Sequence, residues 1–306
     1  MKRQGFVLMY HRLCEPSADA RPWFERGMAV SHHAWRAQLA WLAPRVEFVT
    51  LRGLWEGLSS NAPSARPLCA LTFDDGFKDV LEAERAGVPL TIFPVAHSAR
   101  HEALLPADHY YSLLTRAQNR APSAAQLRAH GFELTEDPPA IDQDWRWWVR
   151  GPIKAAITNA PPSSWDARLQ SLASALDSQP AHPSDLYLSQ DDLRRLLAQG
   201  HEIGGHGSTH QHLDLISGAE LAQEISDAQR LLDELGAPSP RSFCYPNGRF
   251  HQACLNALPQ AGFDLACTVR EAAVTSCDSP LQLPRVFMKD VLPHSHAWPK
   301  VLEALT

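Results

Sequence analysis

The segment Leu71-Thr72-Phe73-Asp74-Asp75-Gly76 constrains this chain more than any other part of it. An apolar run, Leu68 to Phe73, ends in two adjacent carboxylates and a glycine. A strand that stops this way carries two negative charges to a sheet edge. Buried charge is tolerated when it is paired or bound to a metal, so a cation is the expected offset. The plain alternative is a solvated Asp-Gly turn, an ordinary way to leave a strand. A second segment bears on the choice. His201-Glu202-Ile203-Gly204-Gly205-His206-Gly207-Ser208-Thr209-His210 also leaves a short strand-like run, and it places histidines at 206 and 210. Two neutral imidazoles with a carboxylate form an N/O donor set suited to zinc and other first-row divalent metals. A spacing of four puts both rings on one side if the chain turns helically after His206. With 15 histidines in the chain, one such pair arises easily by chance. What gives the pair weight is its position, because strand ends in parallel α/β folds share one functional face.

Strand-like segments recur at Phe6–Tyr10, Val46–Val49, Leu68–Phe73, Pro89–Pro94, Glu202–Gly205, Ser242–Tyr245, Leu265–Val269 and Leu283–Met288. Several are apolar on both faces, the pattern of a buried parallel strand. Helical segments alternate with them. His33–Leu42 follows Ser31 as a cap. Ser189-Gln190-Asp191-Asp192 opens a helix to Ala198 with a capping-box pattern, and Gly218–Leu235 reads as a helix stopped by Gly236. This alternation predicts a parallel α/β barrel or open sheet. The 306 residues suffice for one barrel-sized domain. The rhythm breaks between Pro94 and Ser189. Helical pieces there, near Asp108–Ala117, Ser123–Ala129 and Trp165–Leu176, predict a mostly helical insertion over 97–187 within a single domain spanning 1–306, since structureless loops that long are uncommon. The insertion holds Asp144-Trp145-Arg146-Trp147-Trp148, whose rings could stack on a sugar. Packing is the expectation favoured for them, because aromatic burial dominates core energetics.

Composition excludes several classes. The chain is 44% hydrophobic and 20% charged, ordinary for a globular protein. A net charge of -6 without a Lys/Arg-rich run argues against nucleic-acid binding. No apolar stretch is long enough to span a bilayer, and the start, Met1 to His11, lacks a signal-peptide core, so the expected location is the cytoplasm. Six cysteines without a Cys-x-x-Cys pair read as small buried hydrophobes in a reducing compartment. Oligomeric state is not legible.

With these segments in hand the chain resembles the NodB-type polysaccharide deacetylases, a carbohydrate esterase family. Three motifs carry the resemblance in order: Thr72-Phe73-Asp74-Asp75-Gly76; His206-Gly207-Ser208-Thr209-His210, followed by Leu213; and Arg241-Ser242-Phe243-Cys244-Tyr245-Pro246-Asn247-Gly248. The resemblance implies an α/β fold, a distorted (β/α)7 barrel. It also implies a divalent metal on Asp75, His206 and His210, with zinc preferred over cobalt, nickel or manganese. Asp74 would be the catalytic base, and the backbone N–H of Asn247 a donor to the oxyanion. The opening Met9-Tyr10-His11-Arg12 looks like the start of a subgroup with permuted motif order, in which His11 supplies the catalytic acid. His294 and His296 are the alternatives for that role. One departure stands out. Many members have an arginine where this chain has Cys244, and Arg241 or Arg285 would have to orient the base instead.

The expected activity is hydrolysis of an N-acyl group, most simply N-acetyl, from an amino sugar or related compound. A metal-activated water, the Asp74 base and the His11 acid would carry it, with the site's carboxylates raising the histidine pKa. A deacylase or deformylase of a small non-sugar metabolite is the nearest alternative. A non-haem iron oxygenase shares the ligand set, but such enzymes usually place a histidine two residues before the acid, where this chain has Thr72-Phe73. An inactive binding module would have no need of the intact Asp74, Asp75, His206, His210 and His11. An expected cytoplasmic location points to a small N-acylated or carbohydrate substrate, with the insertion covering the barrel mouth.

Overall fold

Seven strands make a circuit in the computed structural model, which describes residues 4–17, 19–60, 66–117 and 121–305. They are β1 (Gln4–Tyr10), β2 (Leu68–Asp75), β3 (Leu90–Pro94), β4 (Glu202–Ile203), β5 (Arg241–Cys244), β6 (Phe263–Cys267) and β7 (Val286–Phe287). β1 pairs with β2, β2 with β3 and β3 with β4, all in parallel. The ladder then thins to a single parallel bridge from Gly205 to Phe243, which leads to β5. β5 and β6 are parallel, a bridge from Cys267 to Leu283 leads on, and β7 returns to β1 in parallel. The result is the distorted (β/α)7 barrel expected, with a continuous wall on one side and single stitches on the other. Close approach explains one stitch. A side chain at Gly204 would come within 2.7 Å of the Ser242 carbonyl and 2.5 Å of the Phe93 ring, so only glycine lets the strands meet there. Two short strands flank the circuit: Glu47–Val49 runs parallel to the start of β2, and Val274–Thr275 antiparallel to the start of β1.

Side chains alternate across a strand, and the buried apolar residues sort accordingly. One cluster gathers Phe6, Leu8, Tyr10, Cys69, Leu71, Phe73, Leu90 and Ile92 with helix residues such as Leu42, Leu196 and Leu231. A second, smaller cluster holds the alternate positions Val7, Ala70, Phe93, Cys244, Leu265, Cys267 and Leu283. The second set fills the barrel interior, and Leu51, Leu54 and Leu58 of the helix Leu51–Ser59 complete it from one end. That helix also satisfies polar groups there. The Leu51 N–H donates to Thr91 Oγ1 at 2.9 Å and the Arg52 N–H to Glu202 Oε2 at 2.8 Å. The inner register runs on to His11, Asp74, His206, Cys244 and Arg285 at the other end.

The outer helices are stopped and started as their sequences predict. Ser189 and Asp192 form a reciprocal capping box, and Gly236 ends Gly218–Leu235 in a left-handed conformation at φ 71°. Residues 15–29 and 104–185 form a unit of their own, separate from the unit made by 4–14, 30–103 and 186–305. It is built from helices Arg21–Arg26, Pro106–Arg116, Ala124–Ala129, Trp145–Arg150, Pro152–Thr158 and Trp165–Leu176. Trp145 and Trp148 are buried in it, and the Trp148 indole N–H donates to the Pro139 carbonyl at 3.0 Å. Packing is therefore what Trp145 and Trp148 do, while Trp147 is half-buried. Among the described residues no helix is long and apolar enough to cross a membrane. Met1-Lys2-Arg3 lies outside the described residues.

Candidate active site

Asp74 and Asp75 are both buried although they are consecutive on β2. Consecutive strand residues point to opposite faces. Asp75 escapes that rule through a positive φ of 70°, followed by Gly76 at 76°. A side chain on Gly76 would meet Pro94 at 2.9 Å, so the turn is closed to any other residue. The twisted strand end lets the two neighbouring carboxylates serve one region while making different contacts.

Asp75 faces the histidines. Its Oδ1 lies 3.3 Å from His206 Nε2 and 3.3 Å from His210 Nε2. Yet this buried oxygen has no hydrogen-bond partner among the described residues. His206 is 1% exposed, and its Nδ1 lies 2.8 Å from the Cys244 carbonyl. A carbonyl only accepts, so Nδ1 carries a proton and Nε2 is the nitrogen turned toward Asp75. Burial pulls the His210 imidazole down to about 4, against the opposing charge of Asp75, which leaves a neutral ring. One bare carboxylate oxygen and two imidazoles converge, and the three donor groups lie within 4.8 Å of one another. This donor set fits a divalent cation, and the unpartnered Asp75 oxygen is what such an ion would satisfy. A second donor triple, Asp74, His206 and Cys244, meets the same distance condition. Asp74 and Cys244 are engaged elsewhere, so the Asp75 set is the better fit.

A side chain that the motifs did not flag holds the histidine loop. Glu224, 3% exposed on the helix Gly218–Leu235, accepts from the Ser208 N–H at 2.7 Å, the Thr209 N–H at 3.1 Å and Thr209 Oγ1 at 2.5 Å. From the opposite side the N–H groups of Ala96 and His97 donate to the carbonyls of Gly207 and Ser208 at 3.1 and 2.8 Å. His210 is thereby kept at a φ of 63°. The spacing Leu221, Glu224, Ile225, Ala228 puts Glu224 on the helix's buried stripe, a placement at which an acid needs a partner.

Asp74 makes a different set of contacts. Arg285, 1% exposed, grips it with two parallel bonds, Nη1 to Oδ1 at 2.7 Å and Nη2 to Oδ2 at 2.8 Å. The remaining guanidinium donors go to Thr72 Oγ1 at 3.2 Å, the Thr268 carbonyl at 2.9 Å and Cys244 Sγ at 3.1 Å. Burial alone would raise the Asp74 carboxyl, but Arg285 outweighs it and holds the group well below the usual carboxylate range. Of the two arginines that could replace the one missing at Cys244, Arg285 does so. Arg241 is spent on Asp233 at 2.6 Å and on the Ala237 carbonyl. The thiol occupies the small space beside the guanidinium.

His11, just past β1, has Nε2 4.0 Å from Asp74 Oδ2, and its ring stands edge-on to Phe287 at 5.7 Å. Its buried Nδ1 has no partner among the described residues. The pKa direction differs from the expectation. Burial lowers it, and Asp75 and Asp74 oppose that without prevailing. Arg12, the next residue, is tied to Asp79 at 2.6 Å. His294, one alternative acid, accepts the Trp41 indole N–H at 3.0 Å. Asn247 is exposed in the turn Pro246–Gly248 that follows β5, at a φ of 54°.

Comparison with known proteins agrees with this arrangement. The family described as polysaccharide deacetylase matches residues 154–266, a segment that contains His206, His210 and the third motif. Over that segment the chain is similar to the family. Its members are hydrolases acting on N-acetyl amides. No match was found among curated proteins. Among solved structures, the deacetylase PplD of Streptococcus pyogenes, in complex with acetate, is 15% identical with a TM-score of 0.60, the alignment covering 95% of this chain and 94% of that one. The de-N-acetylase of Aggregatibacter actinomycetemcomitans is 15% identical with a TM-score of 0.58, covering 99% and 100%. IcaB from Ammonifex degensii is 17% identical with a TM-score of 0.57, covering 94% and 92%. These proteins share the fold. The matched family segment stops short of Asp74 and Asp75, and it is the structure that brings both to His206 and His210.

Two variants of the chain probe the supports. Arg285→Gln leaves Asp74 buried without its cation, which costs about 3–5 kcal/mol of stability, read by thermal or urea unfolding. The stability given by the depressed Asp74 is present above the unfolded carboxyl value of about 3.9 and lost as pH falls through the lower folded value. In the variant burial is no longer outweighed by Arg285 and the group rises, so the acid limb of the pH–rate profile moves to higher pH; an unmoved limb would show that Arg285 does not set the charge of Asp74. Glu224→Ala strips acceptors from two buried N–H groups, at about 1–3 kcal/mol each. Metal affinity should fall about 10–100-fold in a competition titration, since supports of ligands matter at that level; unchanged affinity would free the loop geometry from Glu224.

Proposed function

We propose that the chain is a metal-dependent N-deacetylase that removes the acetyl group from an N-acetylated amino sugar. The observation that carries this reading is the unpartnered Asp75 oxygen 3.3 Å from two imidazole nitrogens, beside a second carboxylate held ionised by Arg285. Asp75, His206 and His210 would hold the ion, with zinc suited to the set and cobalt, nickel or manganese able to share it. A divalent ion there supplies a Lewis acid that lowers the pKa of water and polarises the acyl carbonyl.

The chain's own residues do the rest. Asp74, ionised and fixed by the Arg285 fork, takes the proton of the attacking water. The Asn247 N–H donates to the oxygen that gains charge, an effect of roughly 3 kcal/mol for such a donor. His11 gives a proton to the leaving amine, which would otherwise depart as a poor anion. The substrate side of the reading rests on the family, whose hydrolases act on N-acetyl groups of sugars. Six free cysteines, four of them buried, support a reducing compartment and with it a cytoplasmic sugar.

Elemental analysis with an acetate-release assay tests the core of this reading. Wild type should carry about one divalent ion per chain. His206→Ala should lose the ion. Asp74→Asn should keep it and lose activity by about 10²–10⁴-fold. A metal-free wild type sinks the ligand set, and an Asp74→Asn enzyme near the wild-type rate sinks the base.

The acid is tested by leaving groups. His11→Ala should slow release from an N-acetyl amine by about 10²–10⁴-fold and barely affect an aryl acetate, whose leaving group needs no proton. The limb of the pH–rate profile that falls as pH rises should flatten in the variant, because that limb reports loss of the proton from His11. Equal losses on amide and aryl ester would make His11 structural and move the acid elsewhere.

A further inference from the structure

Gln38 stands where the sequence pattern calls for an apolar residue. The helix His32–Leu42 buries Ala34, Trp35, Gln38, Trp41 and Leu42, the spacing of a core-facing stripe. Gln38 is 0% exposed. A buried amide is costly unless it is hydrogen-bonded, and this one is bonded through both ends. Its Nε2 lies 2.9 Å from the Lys289 carbonyl and 2.9 Å from the Val291 carbonyl. Carbonyls only accept, so the amino end faces them and gives one hydrogen to each. Its Oε1 accepts from the Tyr10 hydroxyl at 3.0 Å.

These partners are the two sides of the seam that closes the barrel. Tyr10 is the last residue of β1, and His11 follows it. Arg285 comes just before β7, Lys289 and Val291 just after it. β7 itself is two residues long. It meets β1 at Leu8–Val286 and Met9–Phe287, and the Met288 N–H adds a bond to the Met9 carbonyl at 3.0 Å. So short a ladder is a weak hold. Past it the chain is tied twice to one helix. Gln38 makes the first tie. Asp290 makes the second, its Oδ1 accepting from the N–H of the capping Ser31 at 2.9 Å and from its hydroxyl at 2.6 Å. What the seam carries is chemical: Arg285 forks onto Asp74, and the His11 ring stands edge-on to Phe287 at 5.7 Å.

We propose that Gln38 is a positioning residue for the hydrolysis. By joining Tyr10 to Lys289 and Val291 it keeps β7 seated on β1, and with it Arg285 on Asp74 and Phe287 against His11. It acts through the return strand, not on the reacting atoms. The role rests on the reading of Asp74 as base and His11 as acid; the anchoring of the strand does not. An apolar residue would fill the same stripe, and only an amide with two hydrogens to give can hold two consecutive carbonyl sites while accepting from a hydroxyl. Misplacement by about 1 Å from a change far from the chemistry can cost about 100-fold in rate, so a loosened seam is felt at the site.

Two measurements on the full-length protein test the proposal, and one of them needs no activity. Gln38→Met keeps the length of the side chain and removes its hydrogen bonds. Amide hydrogen exchange, read by mass spectrometry, should quicken about tenfold or more over 285–291 and stay as in wild type over 68–75. In an acetate-release assay kcat should fall about 10–100-fold while KM stays within about twofold. A residue that only stabilised the fold would lower the melting temperature and leave the kcat of the folded enzyme unchanged. If circular dichroism shows that Gln38→Met does not fold, Gln38→Asn, one carbon too short to reach both carbonyls, makes the same test. The proposal is overturned if exchange over 285–291 is unchanged, or if it quickens while kcat holds at the wild-type value. Asp74→Asn at the wild-type rate would sink the reading of the site and this role with it. Quickened exchange would then still show that Gln38 holds the strand, which separates the two failures.

Discussion

The buried ion pair between Asp74 and Arg285 is the contact around which the barrel's open end is organised. Taking two charges out of water costs several kcal/mol per ion, and the loss is recovered only when geometry is good and every remaining donor is used. Arg285 meets both conditions, with two bonds to Asp74 and the others to Thr72, Thr268 and Cys244. The pair also sets a chemical requirement. A carboxylate held so low accepts a proton readily only from a water whose own pKa has been brought down. The ion pair and the neighbouring Asp75–His206–His210 set therefore make sense together: the first keeps Asp74 charged for its proposed role as base, and the second is where a cation would make that role feasible.

Backbone strain is concentrated in the same place. Six non-glycine residues among those described have positive φ, and Asp75, His210 and Asn247 are three of them. Such conformations cost about 1–3 kcal/mol each and persist where the surroundings over-determine them. The surroundings here are specific. Pro94 closes over Gly76, Glu224 and the start of the helix Ala96–His101 hold the loop before His210, and the turn around Asn247 is closed by the Gly248 N–H to the Tyr245 carbonyl at 2.7 Å.

The local pattern made much of this legible. The end of β2, the histidine pair and the third motif could be read because each lies within a few residues of chain, and so could the Ser189 cap and the Gly236 stop. Boundaries shifted where tertiary pairing decides them. The strand expected at Leu265–Val269 is Phe263–Cys267, and Val269 lies outside it, 47% exposed. What escaped local reading was long-range. Nothing near Cys244 in sequence says that Arg285 rather than Arg241 reaches Asp74, because the choice depends on β7 returning to β1. Glu224 looked like a helix residue until its partners were known. Residues 15–29 join 104–185 only in three dimensions. The direction of the His11 shift was misjudged because two nearby carboxylates are visible in the motifs, while the depth of burial that outweighs them is not.

The return of β7 to β1 also has a bearing on biosynthesis. A growing chain would carry His11, Asp74, Asp75, His206 and His210 well before Arg285 is made. Until that last arginine docks, Asp74 lacks its counter-ion, and a buried carboxyl in that state favours its proton. The charge of Asp74, and with it the hydrolysis proposed for this site, is thus deferred to the closing of the circuit. An incomplete chain, or one whose final strand has detached, retains every residue of the two leading motifs and still lacks the counter-ion that keeps Asp74 charged.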